Sequence, residues 1–405
     1  MIKLNKILFH FFFLFSFSLA QEKIVLFNVN VIDGLNSSIQ KDKMIFISNR
    51  KIESIKNSGS IPKGYKGIDL YGMYILPGFI DAHTHISSLN AAKRALESGV
   101  TTARSASTSS FQDVSLREMV KAGKLIGPDM IATGVFVTPN LGETILADVR
   151  LANLANGVNK ESELRKLVQI NADRGVDFIK TRGTERAGLP HTDPRKQTYT
   201  KKQLSIIVNE ATKFNIPVMA HAHGDEGGFA AVKAGVRSIE HGTYLSKNTL
   251  SLMKDKGTYL VPTFTTVVDL TEPGGDYDNP ILFIRGQHML PALEATIKTA
   301  YKMGVKIVTG ADTGYGPNST TRIGMEITNF VDLGMKPLDA IRSATIIGAE
   351  LLMIADKTGT IEVGKEADLI VVTKNPFKNI RTIQDVVFVM SNGELALERI
   401  PFTKE

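Results

Sequence analysis

The stretch of sequence that most constrains the fold is LPGFIDAHTH, at residues 76–85. Its apolar part belongs to a predicted β-strand at residues 74–80, and its polar part ends with His83 and His85. Side chains at positions i and i+2 of an extended chain point to the same side. We therefore expect both imidazoles to lie together at the carboxyl end of this strand, where both can ligate one metal ion.

Outward from this stretch, short apolar strands alternate with helical patterns over residues 74–356. Helical spacing occurs, for example, at residues 160–174 and 201–214. Eight strand–helix units in roughly 280 residues predict an α/β fold, a (β/α)8 TIM barrel. A doubly wound open sheet is the alternative, but no glycine-rich phosphate loop follows an early strand. The eight predicted strands are residues 74–80, 100–105, 130–133, 177–181, 217–221, 238–241, 259–262 and 306–310.

Both ends of the chain are rich in short strand patterns and poor in helical ones. Near the end of the chain, Asn392-Gly393 separates two such patterns, which indicates a β-hairpin with a type I′ turn. We therefore predict a small β-sandwich domain formed by residues 21–73 and 357–405. It flanks the barrel domain of residues 74–356.

Residue types that bind metals recur where the other predicted strands end. His221 and His241 close the fifth and sixth strands, and Asp312 follows the eighth. Active sites of barrel enzymes lie at this end of the strands. Neutral imidazoles and oxygen anions suit Zn²⁺ or a similar divalent ion. The full donor set exceeds what one tetrahedral zinc uses, so we predict two divalent metal ions.

Lys180 ends the fourth predicted strand among apolar neighbours, so we expect it to be partly buried. A buried lysine needs a carboxylate partner or has a lowered pKa. One interpretation is a structural ion pair. Another, next to two metal ions, is a CO₂-derived carbamate on Lys180 that ligates both ions.

The composition excludes several classes of protein. The 405 residues contain 43% hydrophobic and 22% charged residues, as ordinary globular proteins do. Forty-eight basic and 41 acidic residues give a net charge of +7, without a basic run that would indicate nucleic-acid binding. The absence of cysteine excludes disulfides, thiolate metal sites and a cysteine nucleophile.

The first twenty residues have the pattern of an export signal. Lys3 and Lys6 precede an apolar run at residues 7–19, and Ser18-Leu19-Ala20 is a small-residue cleavage site. We predict cleavage after Ala20, a periplasmic or extracellular protein, and no membrane span once the signal is removed. An uncleaved membrane anchor is the alternative.

Four motifs together resemble the amidohydrolase superfamily, in particular its imidazolonepropionase-like and Xaa-Pro dipeptidase-like members. The resemblance covers essentially the whole chain after the signal. The motifs are LPGFIDAHTH at residues 76–85, AHAHG at 220–224, SIEHG at 238–242 and GTIEVGKEADL at 359–369.

The resemblance implies a role for each predicted ligand. His83 and His85 would bind the more buried metal, and His221 and His241 the more exposed one. Carbamylated Lys180 would bridge the two ions. Asp312 would contact the buried metal and transfer the proton during catalysis.

The resemblance also implies the reaction: hydrolysis of an amide or peptide-like C–N bond by a metal-bridging hydroxide. The expected substrate is a small molecule, either an N-acyl amino acid or a dipeptide. His223 and Tyr199 are predicted to contact substrate or stabilise the oxyanion, although either can also be a packing residue. One arginine of the predicted loops can bind a substrate carboxylate, although each of them can also be an ordinary exposed residue. The candidates are Arg182, Arg186, Arg195 and Arg322.

Other functions remain open from the sequence. They are cyclic-amide hydrolysis, deamination of a heterocycle, lactone hydrolysis and a non-catalytic scaffold. Relatives that cleave dipeptides usually have Arg-Asp where this chain has Arg104-Ser105, so the substrate is not fixed. Residues 271–280 are predicted to be a lid or a plain surface loop, and a homo-oligomer is left open.

Overall fold

The two ends of the chain build one β-sheet, and the middle alternates parallel strands with helices. The computed structural model of the protein describes residues 22–273, 277–317 and 322–400. In chain order, the strands are β1 (Lys23–Val31), β2 (Gln40–Ser48), β3 (Lys51–Asn57), β4 (Tyr65–Asp69), β5 (Tyr74–Pro77), β6 (Phe79–Thr84), β7 (Val100–Ser105), β8 (Asp129–Ile131), β9 (Ile179–Arg182), β10 (Val218–Ala222), β11 (Ser238–His241), β12 (Tyr259–Val261), β13 (Leu369–Val372), β14 (Val386–Ser391) and β15 (Glu394–Glu398).

Helices follow most of the parallel strands. In chain order, they are α1 (Leu89–Glu97), α2 (Gln112–Lys121), α3 (Glu161–Asp173), α4 (Lys201–Thr212), α5 (Asp225–Ala234), α6 (Lys247–Lys256), α7 (Phe264–Asp269), α8 (Pro280–Met303), α9 (Arg322–Asp332), α10 (Pro337–Ser343) and α11 (Ile346–Leu352). Shorter 3-10 helices cover Gly142–Ala147, Val149–Leu154 and Ile380–Gln384.

The terminal sheet has the strand order β15-β14-β13-β5-β1-β2-β3, and β4 pairs with β1 outside this path. At its centre, β5 pairs antiparallel with β13, so the two ends of the chain lie side by side. A cluster of buried apolar side chains that includes Ile45, Ile75 and Phe388 packs on this sheet. The described strands from both chain ends thus belong to one sheet, while the two-layer sandwich stays a prediction.

The predicted hairpin near the end of the chain is confirmed. Asn392 and Gly393 connect β14 to β15 with φ angles of 51° and 71°. A type I′ turn requires positive φ at both central residues, which asparagine and glycine tolerate best. Ser391 and Glu394 pair directly across the turn.

The first predicted barrel strand is two strands that belong to different sheets. β5 ends at Pro77 in the terminal sheet, and β6 starts two residues later in a parallel sheet. The amide of Gly78 donates to the carbonyl of Asp368, in the terminal part of the fold. A Cβ atom on Gly78 would lie 2.1 Å from Oγ1 of Thr101. The chain therefore needs a glycine where it changes from one sheet to the other.

The parallel strands form two sheets, with the orders β6-β7-β8 and β12-β11-β10-β9. Isolated parallel bridges extend them: Val137 pairs with Thr181, and Leu260 pairs with Ile307. The eighth predicted strand, residues 306–310, is present only through such contacts. The middle of the chain therefore has the predicted α/β alternation, and a closed eight-stranded barrel stays a prediction.

Apolar side chains pack around the parallel strands and fix their positions. One buried cluster includes Ile80, Met219, Val261 and Val308, each from a different strand or strand-like segment. A larger cluster joins the strands to the surrounding helices. This packing holds the polar strand ends in a fixed arrangement, and those ends build the site.

Two predictions concern segments that the structure describes partly or not at all. The export signal at residues 1–20 lies outside the described residues, and residues 271–280 are described only in part. Among the helices of the described ranges, none combines the length and the apolar character needed to cross a bilayer.

Candidate active site

A pocket of about 380 Å³ opens where the parallel strands end. The ends of β6, β9, β10 and β11 contribute to it, as does the segment after residue 310. Active sites of barrel enzymes occupy this face because several strand ends converge there. All six side chains predicted as metal ligands line the pocket: His83, His85, Lys180, His221, His241 and Asp312.

The first donor cluster consists of His83, His85 and Asp312, whose potential ligand atoms lie within 4.8 Å of one another. Oδ1 of Asp312 is 3.1 Å from Nε2 of His85 and 3.4 Å from Nε2 of His83. Nδ1 of His83 lies 2.7 Å from a carboxylate oxygen of Glu240, and Nδ1 of His85 lies 3.2 Å from the carbonyl of Ser107. Both rings are therefore oriented with Nε2 toward the same carboxylate.

The second donor cluster consists of His221, His223 and His241, which are buried and also within 4.8 Å of one another. The rings of His223 and His241 stack with their centroids 4.5 Å apart. Nδ1 of His223 is 2.8 Å from the hydroxyl of Thr243, and Nδ1 of His241 is 2.7 Å from that of Thr263. The sequence predicted His223 as a substrate contact or a packing residue. The structure adds it to this cluster as a third potential ligand.

The imidazoles of the second cluster are held in the neutral form. Burial lowers the pKa of His223 to about 3. Burial is also the main reason that the pKa values of His221 and His241 lie well below the usual range. A neutral imidazole keeps the lone pair with which it ligates a metal.

Lys180 lies near the Phe136 ring, and both acidic and basic side chains act on its amine electrostatically. Its side chain is buried, and Nζ has no hydrogen-bond partner in the described structure. Burial lowers the pKa of Lys180 to about 8, so a sizeable fraction of the amine is neutral at mildly alkaline pH. The structural ion pair that the sequence left open is not formed, because no carboxylate of the described residues reaches the amine.

Sequence reasoning missed a buried network behind the first cluster. Glu240 accepts hydrogen bonds from Arg104, at 3.0 Å, and from the hydroxyl of Ser238, at 2.5 Å, and it contacts Nδ1 of His83. Although burial favours the neutral acid, the charge of Arg104 helps to lower the pKa of Glu240 to about 2. The ionised carboxylate therefore fixes the orientation of the His83 ring.

Backbone conformation at the strand ends also positions the site. His241, Thr263 and Asp312 have φ angles of 75°, 48° and 46°. Residues other than glycine adopt this region at a cost of about 1–3 kcal/mol, and such strain concentrates at functional sites. A Cβ atom on Gly310 would lie 2.8 Å from Cβ of His83, so the close approach of this segment to β6 requires a glycine.

Two residues predicted to contact substrate do not line the pocket. The Tyr199 side chain is buried, and its hydroxyl donates to the carbonyl of Val158 at 2.7 Å. The guanidinium of Arg322 forms a two-pronged ion pair with Asp269, with Nη1 2.7 Å from Oδ1. Because both side chains bond to protein groups away from the pocket, we correct the prediction. Tyr199 packs at the start of α4, and Arg322 joins two helices.

The parallel strands thus end in two clusters of potential metal ligands, as the resemblance to amidohydrolases led us to expect. The chain belongs to the amidohydrolase family, whose model matches residues 74–396. The protein is therefore a hydrolase of the amidohydrolase type.

Similar proteins support both branches of the predicted resemblance. The ochratoxinase of Aspergillus niger is 25% identical over 407 aligned positions, covering 88% of this chain and 83% of that protein. The imidazolonepropionase of Psychromonas ingrahamii is 23% identical over 371 positions, covering 82% and 87%. The crystal structure of a Xaa-Pro dipeptidase with methionine bound in its active site superposes with a TM-score of 0.84 at 30% identity, covering 92% of this chain and 99% of that chain.

Proposed function

We propose that the protein hydrolyses a C–N bond of an amide or peptide-like substrate and uses two divalent metal ions, with Zn²⁺ as the expected ion. The observation that supports this most strongly is the placement of two donor clusters in one pocket with a buried, unpartnered lysine. A buried amine without a hydrogen-bond partner is unfavourable unless a further group completes the site.

The donor chemistry fits such ions. His83, His85 and Asp312 would hold one ion, and His221 and His241 the other, with His223 beside it. Lys180, as a carbamate, would add anionic oxygen donors to this set. When bound, two such cations polarise a carbonyl group and make water a stronger nucleophile near neutral pH.

Asp312 is placed to transfer the proton. Its Oδ1 lies 3.1 Å from His85 in the first cluster, and its Oδ2 lies 3.9 Å from Nδ1 of His241 in the second. We assign to Asp312 the acceptance of a proton from the attacking water and its delivery to the leaving nitrogen. General acid–base catalysis of this kind contributes roughly 10²–10⁴-fold.

His223 is the candidate for stabilising the oxyanion. When the Thr243 hydroxyl donates to Nδ1, the ring carries its proton on Nε2 and can donate it to negative charge that develops on the carbonyl oxygen. This role replaces the one predicted for Tyr199.

An N-acyl amino acid or a dipeptide is the substrate class that we propose. The pocket volume is within the range of sites for small molecules. The structural relative with bound methionine is a Xaa-Pro dipeptidase, which supports the dipeptide part of the proposal. We further propose that the enzyme works outside the cytoplasm, after removal of residues 1–20.

Metal removal tests the proposed function directly. The metal-free protein should be inactive, and reloading with Zn²⁺ should restore hydrolysis together with about two ions per chain by elemental analysis. The substrate panel contains N-acyl amino acids, dipeptides including Xaa-Pro, cyclic amides, lactones and heterocyclic amines. Full activity after metal removal would exclude the proposed chemistry. One ion per chain together with deamination would favour the heterocycle deaminase. No bound ion and no turnover would favour a non-catalytic scaffold.

Replacing Glu240 with glutamine tests the network behind the first cluster. Glutamine keeps the shape but loses the charge that orients His83, so Zn²⁺ affinity should fall about 10–100-fold. Competition with a chromogenic chelator measures the affinity. Glu294→Gln, which removes an exposed ion-paired carboxylate on α8, is the matched control and should bind zinc as the parent does. Equal affinities in both variants would remove Glu240 from the support of the metal site.

A further inference from the structure

Arg182 places a half-buried guanidinium in the same pocket as Lys180. The guanidinium carbon of Arg182 is 4.6 Å from the centre of the Phe136 ring, and Nζ of Lys180 is 5.7 Å from the same point. The guanidinium carbon of Arg182 and Nζ of Lys180 therefore both lie beside the Phe136 ring. Both residues lie on β9 two positions apart, so their side chains leave the strand on the same side.

The guanidinium of Arg182 has no acceptor from the described protein. Its Nε is buried and unpartnered, although the group stacks on Phe136. Two other arginines near the site differ from Arg182 in this respect: Arg104 pairs with Glu240, and Arg285 donates to backbone carbonyls. A buried Nε–H group without an acceptor is unfavourable, so an acceptor from outside the chain is expected for this guanidinium.

The charge of the pocket favours an anionic group. The described lining residues include the guanidinium groups of Arg182 and Arg186, against a single carboxylate, Asp312. Asp312 already contacts the histidines of the first cluster. A carboxylate pairs with a planar guanidinium through two parallel hydrogen bonds, the strongest arrangement for this anion.

We infer that Arg182 binds a carboxylate of the substrate, with Arg186 assisting at the pocket wall. The inference rests on the proposed function and narrows the substrates to those with a free carboxylate on the amine product, such as N-acyl amino acids and dipeptides. In these molecules the carboxylate lies on the carbon attached to the scissile nitrogen. A receptor for it must therefore lie near the donor clusters, and Arg182 lines the same pocket as both clusters.

Matched substrate pairs test the inference. Each pair consists of an N-acetyl amino acid and its uncharged amide, with phenylalanine, leucine, methionine and proline as the amino acids. The zinc-loaded parent should prefer the acid by about a hundredfold in kcat/KM. Arg182→Met should reduce this preference to less than about tenfold, and Arg182→Lys should restore part of it. Arg195→Met is the control, since Arg195 is exposed, pairs with Asp193 and lies outside the pocket lining.

Ligand binding provides a second readout that does not need turnover. In the Asp312→Asn background, calorimetry compares binding of the same acids and amides with and without Arg182→Met. A preference for the acid that disappears with Arg182 supports the inference. This binding result would support the inference even if the parent enzyme hydrolysed none of the compounds. In that case only the proposed function would be overturned. Hydrolysis of acids and amides at equal rates, or a preference that survives Arg182→Met, would overturn the inference and leave the proposed function standing. Absence of both hydrolysis and acid preference would overturn both.

Discussion

Asp312→Asn is expected to lower kcat/KM by about three orders of magnitude, a loss of about 4 kcal/mol of transition-state stabilisation. Asparagine has nearly the same shape but cannot accept a proton from water and return it to the leaving nitrogen. Although burial favours the neutral acid, the neighbouring imidazoles of His83 and His85 hold the pKa of Asp312 well below its usual value. The carboxylate is therefore ionised, the charge state that both metal binding and proton acceptance require. Steady-state kinetics on the best substrate of the panel measures the loss.

The zinc content of the variant separates two roles of this carboxylate. Two ions per chain with lost activity would assign Asp312 to proton transfer, whereas loss of one ion would assign it mainly to metal binding. Asp193→Asn is the control, because Asp193 pairs with Arg195 at the surface and should leave kcat/KM unchanged. Activity of Asp312→Asn within tenfold of the parent would contradict both roles.

The sequence predicted most accurately those strands that are recognisable from a local pattern of residues. Residues 100–105 and 238–241 were predicted as strands, and β7 and β11 have those bounds. A short run of apolar and β-branched residues between turn residues is enough to indicate a buried strand. The switch at Gly78 could not be predicted in this way, because it depends on contacts with Thr101 and Asp368 that are distant in sequence.

The same distinction applies to the site. The His-x-His spacing places His83 and His85 on one side of the chain end through strand geometry alone, and the structure brings both to Asp312. The direction of the Tyr199 hydroxyl depends instead on the carbonyl of Val158, 41 positions away. The presence of a tyrosine in this loop was therefore not enough to predict a substrate contact. That His223 belongs to the second cluster likewise could not be predicted from the sequence, because it depends on the distances between neighbouring strands.

Glu240 had a signal that sequence reasoning did not use. It is the acidic residue of a four-residue strand, Ser238–His241, that is buried throughout. A carboxylate in such a strand is almost never fully buried without a partner, so a cation or a hydrogen-bond donor had to be near. Which donor it would be, Arg104 from β7, follows only from the packing of the strands.

Lys180→Met is expected to abolish most activity while leaving the fold at least as stable. Methionine fills a similar volume but cannot form a carbamate, so an anionic oxygen between the two proposed ions is lost. We expect kcat/KM to fall by about 10³-fold or more, in line with the removal of a principal electrostatic contact. Since the buried amine has no partner in the metal-free protein, its removal should not lower the melting temperature. A structural ion pair would give the opposite result, because breaking such a pair destabilises by about 3–5 kcal/mol.

Chemical rescue distinguishes a carbamate from other roles of the amine. Lys180→Ala opens a space that a short carboxylic acid can enter, and acetate or propionate can then supply the missing oxygens at the same place. We expect rescue to recover part of the activity in Lys180→Ala, to saturate with acid concentration, and to be weaker in Lys180→Met, where the side chain fills the space. Lys201→Ala, at the exposed start of α4, controls for general effects of the acids on the enzyme. Full activity of Lys180→Ala without added acid would show that the lysine takes no part in the reaction. Lost activity that no short acid restores would instead favour a role for the amine itself.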